Sequence, residues 1–284
     1  MHTFKQQYID VNGALINVKC KGNGIPVLLL HGFPQTHFMW HKLAVKMAKN
    51  YSVVLADLRG YGDSIVHNND LSFRAMANDM IEVMSKLGHQ SFHVVAHDRG
   101  ARVAHRMAMD HTSKVLSLSL MDIIPTIEVW QTMNADLAQR YYHWTFLSQP
   151  SPLPETLIAS NPILFLHSIF KGLSGSMDYL SPMALKEYER AALKPEVIKS
   201  WCNDYRSAAN IDIEHDKVDM GTAYNTKCLV IWGSKGAVST HKNPIAAWQK
   251  WFPNAYGGAL NCGHFLVEEQ PEEVYNLVMK HLAN

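Results

Sequence analysis

Cysteine is scarce in this chain: Cys20, Cys202, Cys228 and Cys262 are the four among 284 residues. Their wide scatter offers neither metal-ligand spacing nor the density of a disulfide scaffold, so they are expected to be free thiols in or near a core. An excess of charge is also missing, with 26 Lys plus Arg against 25 Asp plus Glu and a formal charge of +1. No whole-molecule field is available to hold nucleic acid or an anionic membrane, so any anion selectivity must be local. No apolar run approaches the roughly 20 residues that span a bilayer. Residues 1–10 are polar and lack the apolar stretch of a secretion signal, so a cytoplasmic protein is expected. Sixteen histidines raise the question of a metal. Yet the sequence has no His-Glu-x-x-His helix and no compact His/Cys cluster, and neither metal nor cofactor is expected.

What is present is enough apolar sequence, 47 %, to bury a full core in one large domain or in a domain carrying an insertion. Residues 8–11 and 15–20 alternate like paired strands around the turn signal Asn12-Gly13. The continuous apolar run at 26–31 suits a strand buried on both faces. Strand-like and helix-like segments then alternate: strands at 51–55, 92–96 and 115–120, helices at 74–87 and 101–110. That rhythm predicts an α/β fold, a mainly parallel sheet flanked by helices. From about 126 to 216 the texture changes to aromatics, Met and several prolines without a buried strand, which predicts an inserted helical cap. The rhythm returns with a strand at 228–232, a helix at 243–251, a strand at 255–260 and a last helix opened by Pro271. The expected division is therefore a core of 1–125 and 217–284 around a cap of 126–216.

The chemistry is concentrated at Ala96-His97-Asp98-Arg99-Gly100, where a buried strand meets a helix. Small residues stand two positions to either side of Asp98, as a sharp strand-to-helix turn requires when it projects its central side chain above a sheet. A carboxylate in the place of the usual Ser can attack saturated carbon, which fits halide displacement or epoxide opening. The competing reading is that Asp98 only caps the helix that follows, and on this motif alone the two stand level. Context favours the nucleophile. His264, in Asn261-Cys262-Gly263-His264-Phe265, follows the last predicted strand, where a general base belongs. Asp122 closes a strand in Leu120-Met121-Asp122, where it could orient an imidazole. His31-Gly32-Phe33-Pro34-Gln35 supplies a loop whose Phe33 N–H, with that of Arg99, could form an oxyanion hole.

Taken with Tyr142 to Pro150, Asp204 to Ala209, Glu214-His215-Asp216 and the His97 to Arg102 run, these motifs closely resemble those of the fluoroacetate (haloacetate) dehalogenases, over nearly the whole chain. The resemblance implies an α/β-hydrolase fold, with Asp98 as nucleophile and Asp122 and His264 completing the triad. It also implies that Arg99 and Arg102 hold a substrate carboxylate and that His143, Trp144 and Tyr205 receive the halide. A small haloacid substrate follows, with no nucleic acid or membrane partner, and a homodimer. The physics agrees: two guanidinium groups three residues apart at a helix start can reach one face and clamp a carboxylate. Arg106 is expected on a solvated surface, and Tyr141 and Trp201 as packing within the cap. Two departures stand out. Residues 167–180 carry no Trp where relatives are expected to have one, which leaves substrate size and halide preference open, and the loop 233–238 contains no carboxylate, which favours Asp122 as the triad acid. The rival readings are an epoxide hydrolase, which would present two cap tyrosines and has no need of Arg102, and a non-catalytic ligand-binding protein of the same fold.

Overall fold

The computed structural model describes residues 3–283; Met1, His2 and Asn284, the outermost residues of the expected core segments, lie outside them. Strands β1 (Lys5–Val11) and β2 (Ala14–Lys21) form an antiparallel hairpin. Its two-residue turn places Gly13 at φ 91°, which suits glycine. The remaining strands are β3 (Pro26–Leu30), β4 (Ser52–Ala56), the short β5 (Ile65–Val66), β6 (Phe92–His97), β7 (Val115–Met121), β8 (Lys227–Gly233) and β9 (Tyr256–Leu260). They lie in the order β1-β2-β4-β3-β6-β7-β8-β9, with β5 paired to β2. From β4 to β9 every pairing is parallel. Leu28, Leu29 and Leu30 are fully buried, as expected of a central parallel strand covered on both faces. Burying each such leucine is worth about 2 kcal/mol.

Helices α1 (His41–Met47), α2 (Phe73–Lys86) and α3 (Asp98–Asp110) belong to the first half of the core. Ser72 caps α2 by accepting from the Ala75 N–H, and Met76, Ala77, Met80, Val83 and Met84 give that helix its buried stripe. Between β7 and β8 run eight helices and no strand: α4 (Thr126–Gln131), α5 (Ala135–Arg140), α6 (Tyr142–Leu147), α7 (Leu153–Ser160), α8 (Pro162–Ser174), α9 (Pro182–Ala192), α10 (Pro195–Ala209) and α11 (Ile211–Asp219). After β8 come α12 (Pro244–Gln249), α13 (Leu266–Glu269) and α14 (Pro271–Ala283). The chain order reverses between neighbours β3 and β6, so the loops leaving their carboxyl ends diverge and open a crevice there. Phe33 follows one of these strands and Asp98 the other.

Most strand and helix expectations agree with the structure to within a few residues. The helix expected at 101–110 starts at Asp98, and the one expected at 243–251 ends at Gln249. Helices α1 and α13 and strand β5 carry too few residues for a periodic signal. All four cysteines are free, three of them buried and Cys20 half-buried. Arg106 is a correction: it is 2 % exposed, not solvated. Its guanidinium pairs with Asp216 at 3.0 Å and with Asp219, both from α11, and with Asp110 at 3.2 Å. The local pattern of α3 could not show that a distant helix would cover this face with acids. Removing one member of such a buried network strands the others, at about 3 kcal/mol or more. Arg106→Ala should therefore lower unfolding stability by about that amount in urea titration, and a loss below about 1 kcal/mol would show that the network contributes little.

Candidate active site

The turn at residue 98 is built by exclusion. Asp98 has φ 47°, a left-handed backbone that costs a non-glycine residue about 1 kcal/mol or more. It survives because its neighbours leave no alternative volume. A side chain on Gly100 would collide with the His31 carbonyl, and one on Gly32 with the Asp98 side chain. The Gly100 N–H donates to that His31 carbonyl at 3.0 Å, pinning the loop after β3 to the first turn of α3. Leu58 N–H donates to His31 Nε2 at 3.0 Å, so the other ring nitrogen carries the proton and faces the Gly32 carbonyl at 2.9 Å. Burial holds His31 down at about 4, so this arrangement is neutral. The loop thus directs the Phe33 N–H to Asp98 Oδ1, at 2.8 Å.

The other carboxylate oxygen, Asp98 Oδ2, faces His264 Nε2 at 3.8 Å. His264 Nδ1 is 2.5 Å from Asp122 Oδ2. Asp122 also has a left-handed backbone, φ 52°, and its Oδ1 accepts from the Gly233 N–H at 2.8 Å. Asp98, His264 and Asp122 are thus brought into one line from the ends of three different strands, with a hydrogen bond between the last two, which 142 residues separate, and a 3.8 Å gap between the first two. With Asp122 accepting, Nδ1 carries a proton and Nε2 is the ring nitrogen turned toward Asp98.

The second group of expected residues converges on the same point. The Phe33 ring stacks on His143 at 5.8 Å and meets the edges of Trp201 and Tyr205, each at 5.2 Å. Tyr205 lies 5.7 Å from the His143 ring and 5.8 Å from that of Trp144. Arg99 and Arg102 are both buried. The Arg102 guanidinium lies 4.6 Å from the Trp144 ring centre, and that of Arg99 lies 4.2 Å from Tyr205 and 4.6 Å from Phe73. Neither guanidinium is wholly free. Arg99 donates through Nε to Asp204 Oδ2 at 2.9 Å and through Nη2 to both the carboxylate and the carbonyl of Asp204. Arg102 Nη1 donates to the Ile124 carbonyl and to Thr126 Oγ1, both at 3.0 Å. Among the side-chain atoms buried here without a protein partner are Arg99 Nη1, Arg102 Nε, His143 Nδ1, Trp201 Nε1 and the Tyr205 hydroxyl.

A model of the alpha/beta hydrolase fold matches residues 25–271. A fluoroacetate dehalogenase from Burkholderia sp is 38 % identical over 99 % of this chain and 94 % of its own length. The chain belongs to the haloacetate dehalogenase family of α/β-hydrolases. This hydrolase is also similar to a soluble epoxide hydrolase from Corynebacterium sp. (strain C12), 31 % identical over 96 % of this chain and 95 % of that one. A solved structure from Nostoc sp PCC 7120, described provisionally as an alpha/beta hydrolase, superposes with a TM-score of 0.96 at 47 % identity, covering 99 % of this chain and 98 % of the other.

Several residues of this hydrolase's site escaped the reading of its sequence. Asp204 opens one of the resemblance motifs but is given no role by the sequence; it anchors Arg99 and accepts from the Tyr61 hydroxyl at 2.6 Å. Its signal was available: it shares a face of α10 with Trp201 and Ala208, and a carboxylate among such neighbours must be paired when buried. Thr126 and Tyr61 gave no comparable signal. Tyr141 is packed as expected, stacked on Trp144 at 5.6 Å, but it also comes close enough to Asp122 for that charge, together with burial, to push its phenol upward.

Electrostatics fixes the protonation states. Burial pushes Asp98 up, but His264, His97, Arg99 and Arg102 outweigh it and hold the carboxyl at about 2. Burial lowers His143 to about 3, so it is neutral. Burial and the Asp98 charge push the Tyr205 phenol well above its ordinary value, so it keeps its proton. Burial also opposes the imidazolium form of His264, but Asp122, through its hydrogen bond and charge, and Asp98 more than compensate and raise it. It follows that Asp98→Asn, which keeps shape and deletes charge, should lower the His264 titration midpoint in an NMR pH series. A midpoint unchanged or raised would mean that the two groups are not coupled across 3.8 Å.

Proposed function

We propose that this hydrolase cleaves the carbon–halogen bond of haloacetates, fluoroacetate among them, to give glycolate and halide. The observation that carries the reading is the set of buried, unpartnered polar atoms around Asp98: one nitrogen of each of two guanidinium groups, the Tyr205 hydroxyl, and His143 Nδ1, a donor in the tautomer that protonates it. An unpaired buried donor costs about 1–3 kcal/mol, so four kept together mark a place where a ligand supplies the acceptors. Two cationic donors suit a carboxylate, and the neutral donors suit a departing halide. A substrate of both parts is a small 2-haloacid. The relative named as a fluoroacetate dehalogenase supports the same class.

In this mechanism Asp98 Oδ2 attacks the carbon, the new C–O bond forms as the C–X bond breaks, and the halide leaves with the bonding pair. Oδ1, already held by the Phe33 N–H, becomes the ester carbonyl oxygen. His264 then removes a proton from water, the water oxygen bonds to the Asp98 carboxyl carbon, and the tetrahedral oxyanion stays at Oδ1 facing Phe33 N–H and the Arg99 backbone N–H. Collapse expels glycolate, which takes Oδ2 and the proton held by His264; Asp98 keeps the water oxygen, and the second water proton, left on its carboxyl group, passes by way of His264 to solvent to restore the carboxylate. The charge coupling times the base. Asp98 as a carboxylate raises His264, and esterification removes that charge, so the imidazole favours its neutral, basic form once the ester exists. Residues 126–216 act here as a cap that supplies the halide donors.

Tyr141 and Tyr205 both lie near Asp98, and the similarity to epoxide hydrolases makes an epoxide the second substrate to test. A neutral epoxide offers two guanidinium groups one weak acceptor and no anion, which favours the haloacid. The decisive assay is halide release from fluoro-, chloro- and bromoacetate beside an epoxide and a simple ester; release from no haloacid, or faster turnover of the epoxide, overturns the reading. His264→Asn should stop at the ester, leaving an adduct on Asp98 detectable by mass analysis after incubation with haloacetate, and an adduct elsewhere would remove Asp98 from its role.

Tyr205→Phe tests the halide site by deleting one hydroxyl while keeping the ring. Fluoride concentrates its charge and depends most on directed donors. Single-turnover alkylation by fluoroacetate should therefore slow by about tenfold or more, equivalent to about 1.4 kcal/mol, with a smaller effect for bromoacetate. Equal losses for both halides at unchanged thermal stability would place Tyr205 outside the halide site.

A further inference from the structure

We infer that Glu269, together with the end of α8, is a positioning clamp for His264, so that the helical insertion holds the general base as well as covering the pocket. The inference rests on the proposed two-step reaction only for its kinetic readout. Three consecutive backbone N–H groups at the base are all occupied. Gly263 N–H donates to Glu269 Oε2 at 2.7 Å, and Phe265 N–H to Glu269 Oε1 at 3.0 Å. The N–H of His264 itself donates to the Leu173 carbonyl at 3.3 Å, at the end of α8. Ser174 ties the two parts together, its hydroxyl donating to Glu269 Oε1 at 2.6 Å. On the opposite side the His264 carbonyl accepts from His97 Nε2 at 2.8 Å. Contact is close throughout: a side chain on Gly263 would collide with Ser174, and one on Gly233 with the Gly263 carbonyl.

One carboxylate thus brackets the base from both flanking residues while receiving a hydroxyl from the insertion. An imidazole that must accept a proton from water in one orientation needs such a hold, because a displacement of about 1 Å can cost two orders of magnitude in rate. Glu269 also contributes negative charge that favours the imidazolium form of His264. A glutamine cannot replace it: its single oxygen cannot serve both N–H groups, and its NH2 would face a second donor.

The test uses Glu269→Gln in the full chain. Because His264 acts only on the ester, alkylation should survive: a burst of about one halide per site, followed by steady-state turnover slowed about tenfold. Independently of any substrate, the His264 NMR midpoint should move down as the neighbouring charge is lost. Burst and steady state falling together, with an unmoved midpoint, would overturn the clamp and leave Glu269 a structural residue. If the unaltered enzyme releases no halide while the variant still lowers the midpoint, the dehalogenase reading fails and the clamp stands. Should the glutamine variant not fold, Ser174→Ala, which removes only the tie from α8, is expected to lower the steady-state rate about threefold at an unchanged burst; an unaltered ratio of the two would overturn the inference.

Discussion

The backbone of Asp98 lies in a region that aspartate adopts at a cost, and much of the site's geometry follows from how that cost is met. A strand entering from below and a helix leaving above can join in one residue only if their flanks approach closely. That approach demands Gly100 beneath the His31 carbonyl and Gly32 beside the Asp98 side chain. The same contacts bring the loop after β3 to the carboxylate, so the Phe33 N–H reaches Oδ1 as a consequence of the turn. The left-handed backbone of Asp122 repeats the device at the end of β7, turning a second carboxylate toward His264.

Charge buried in this crevice could not persist without the helical insertion. Arg99 is fully enclosed, and its main partner, Asp204, comes from α10. An isolated guanidinium in such a place would be strongly destabilising, while a paired one roughly breaks even against an apolar alternative. The pair therefore serves specificity more than stability. Fixing Arg99 to Asp204 through Nε and Nη2 leaves Nη1 as the one direction from which an anion can be received. For Arg102, Thr126 and the Ile124 carbonyl hold Nη1, and the buried Nε is left without a protein partner. The sheet carries Asp98, and the insertion fixes the orientation of Arg99 beside it.

This division of labour explains what could be read from the sequence. Strand β3 carries a continuous apolar run, so local pattern was sufficient for it, whereas the small-residue requirement at Asp98 left an elbow and a helix cap level until chain order was added. The acid and base were legible because chain order and strand ends restrict where they can lie. Pairings between the core and the insertion were not. Arg106 looked solvated because its acidic partners in α11 lie 110 and 113 residues away. Asp204 was legible in principle, as a carboxylate on an aromatic face, but nothing local named Arg99 as its partner. The Glu269 bracket depends on a four-residue helix, α13, too short to show a period. The roles expected of His143, Trp144 and Tyr205 came from resemblance alone, since aromatic residues in the insertion read more readily as packing.

A leaving halide in a dry cavity must be stabilised as it forms and still be able to leave. A cationic histidine beside it would serve the first need and obstruct the second, because ion pairing in a low dielectric is strong. Burial holds His143 neutral, and burial with the Asp98 charge keeps the Tyr205 proton in place, so the halide would meet directed donors without a full countercharge from either. The cations are reserved for the carboxylate, which the product retains. Glycolate then depends on the same arginines that held the substrate, but its hydroxyl replaces the halogen and the Asp98 carboxylate regenerated by hydrolysis repels its anionic end. In the proposed cycle the nucleophile's own charge, absent while the ester exists and restored when it is cleaved, both releases His264 to act as a base and helps to empty the site.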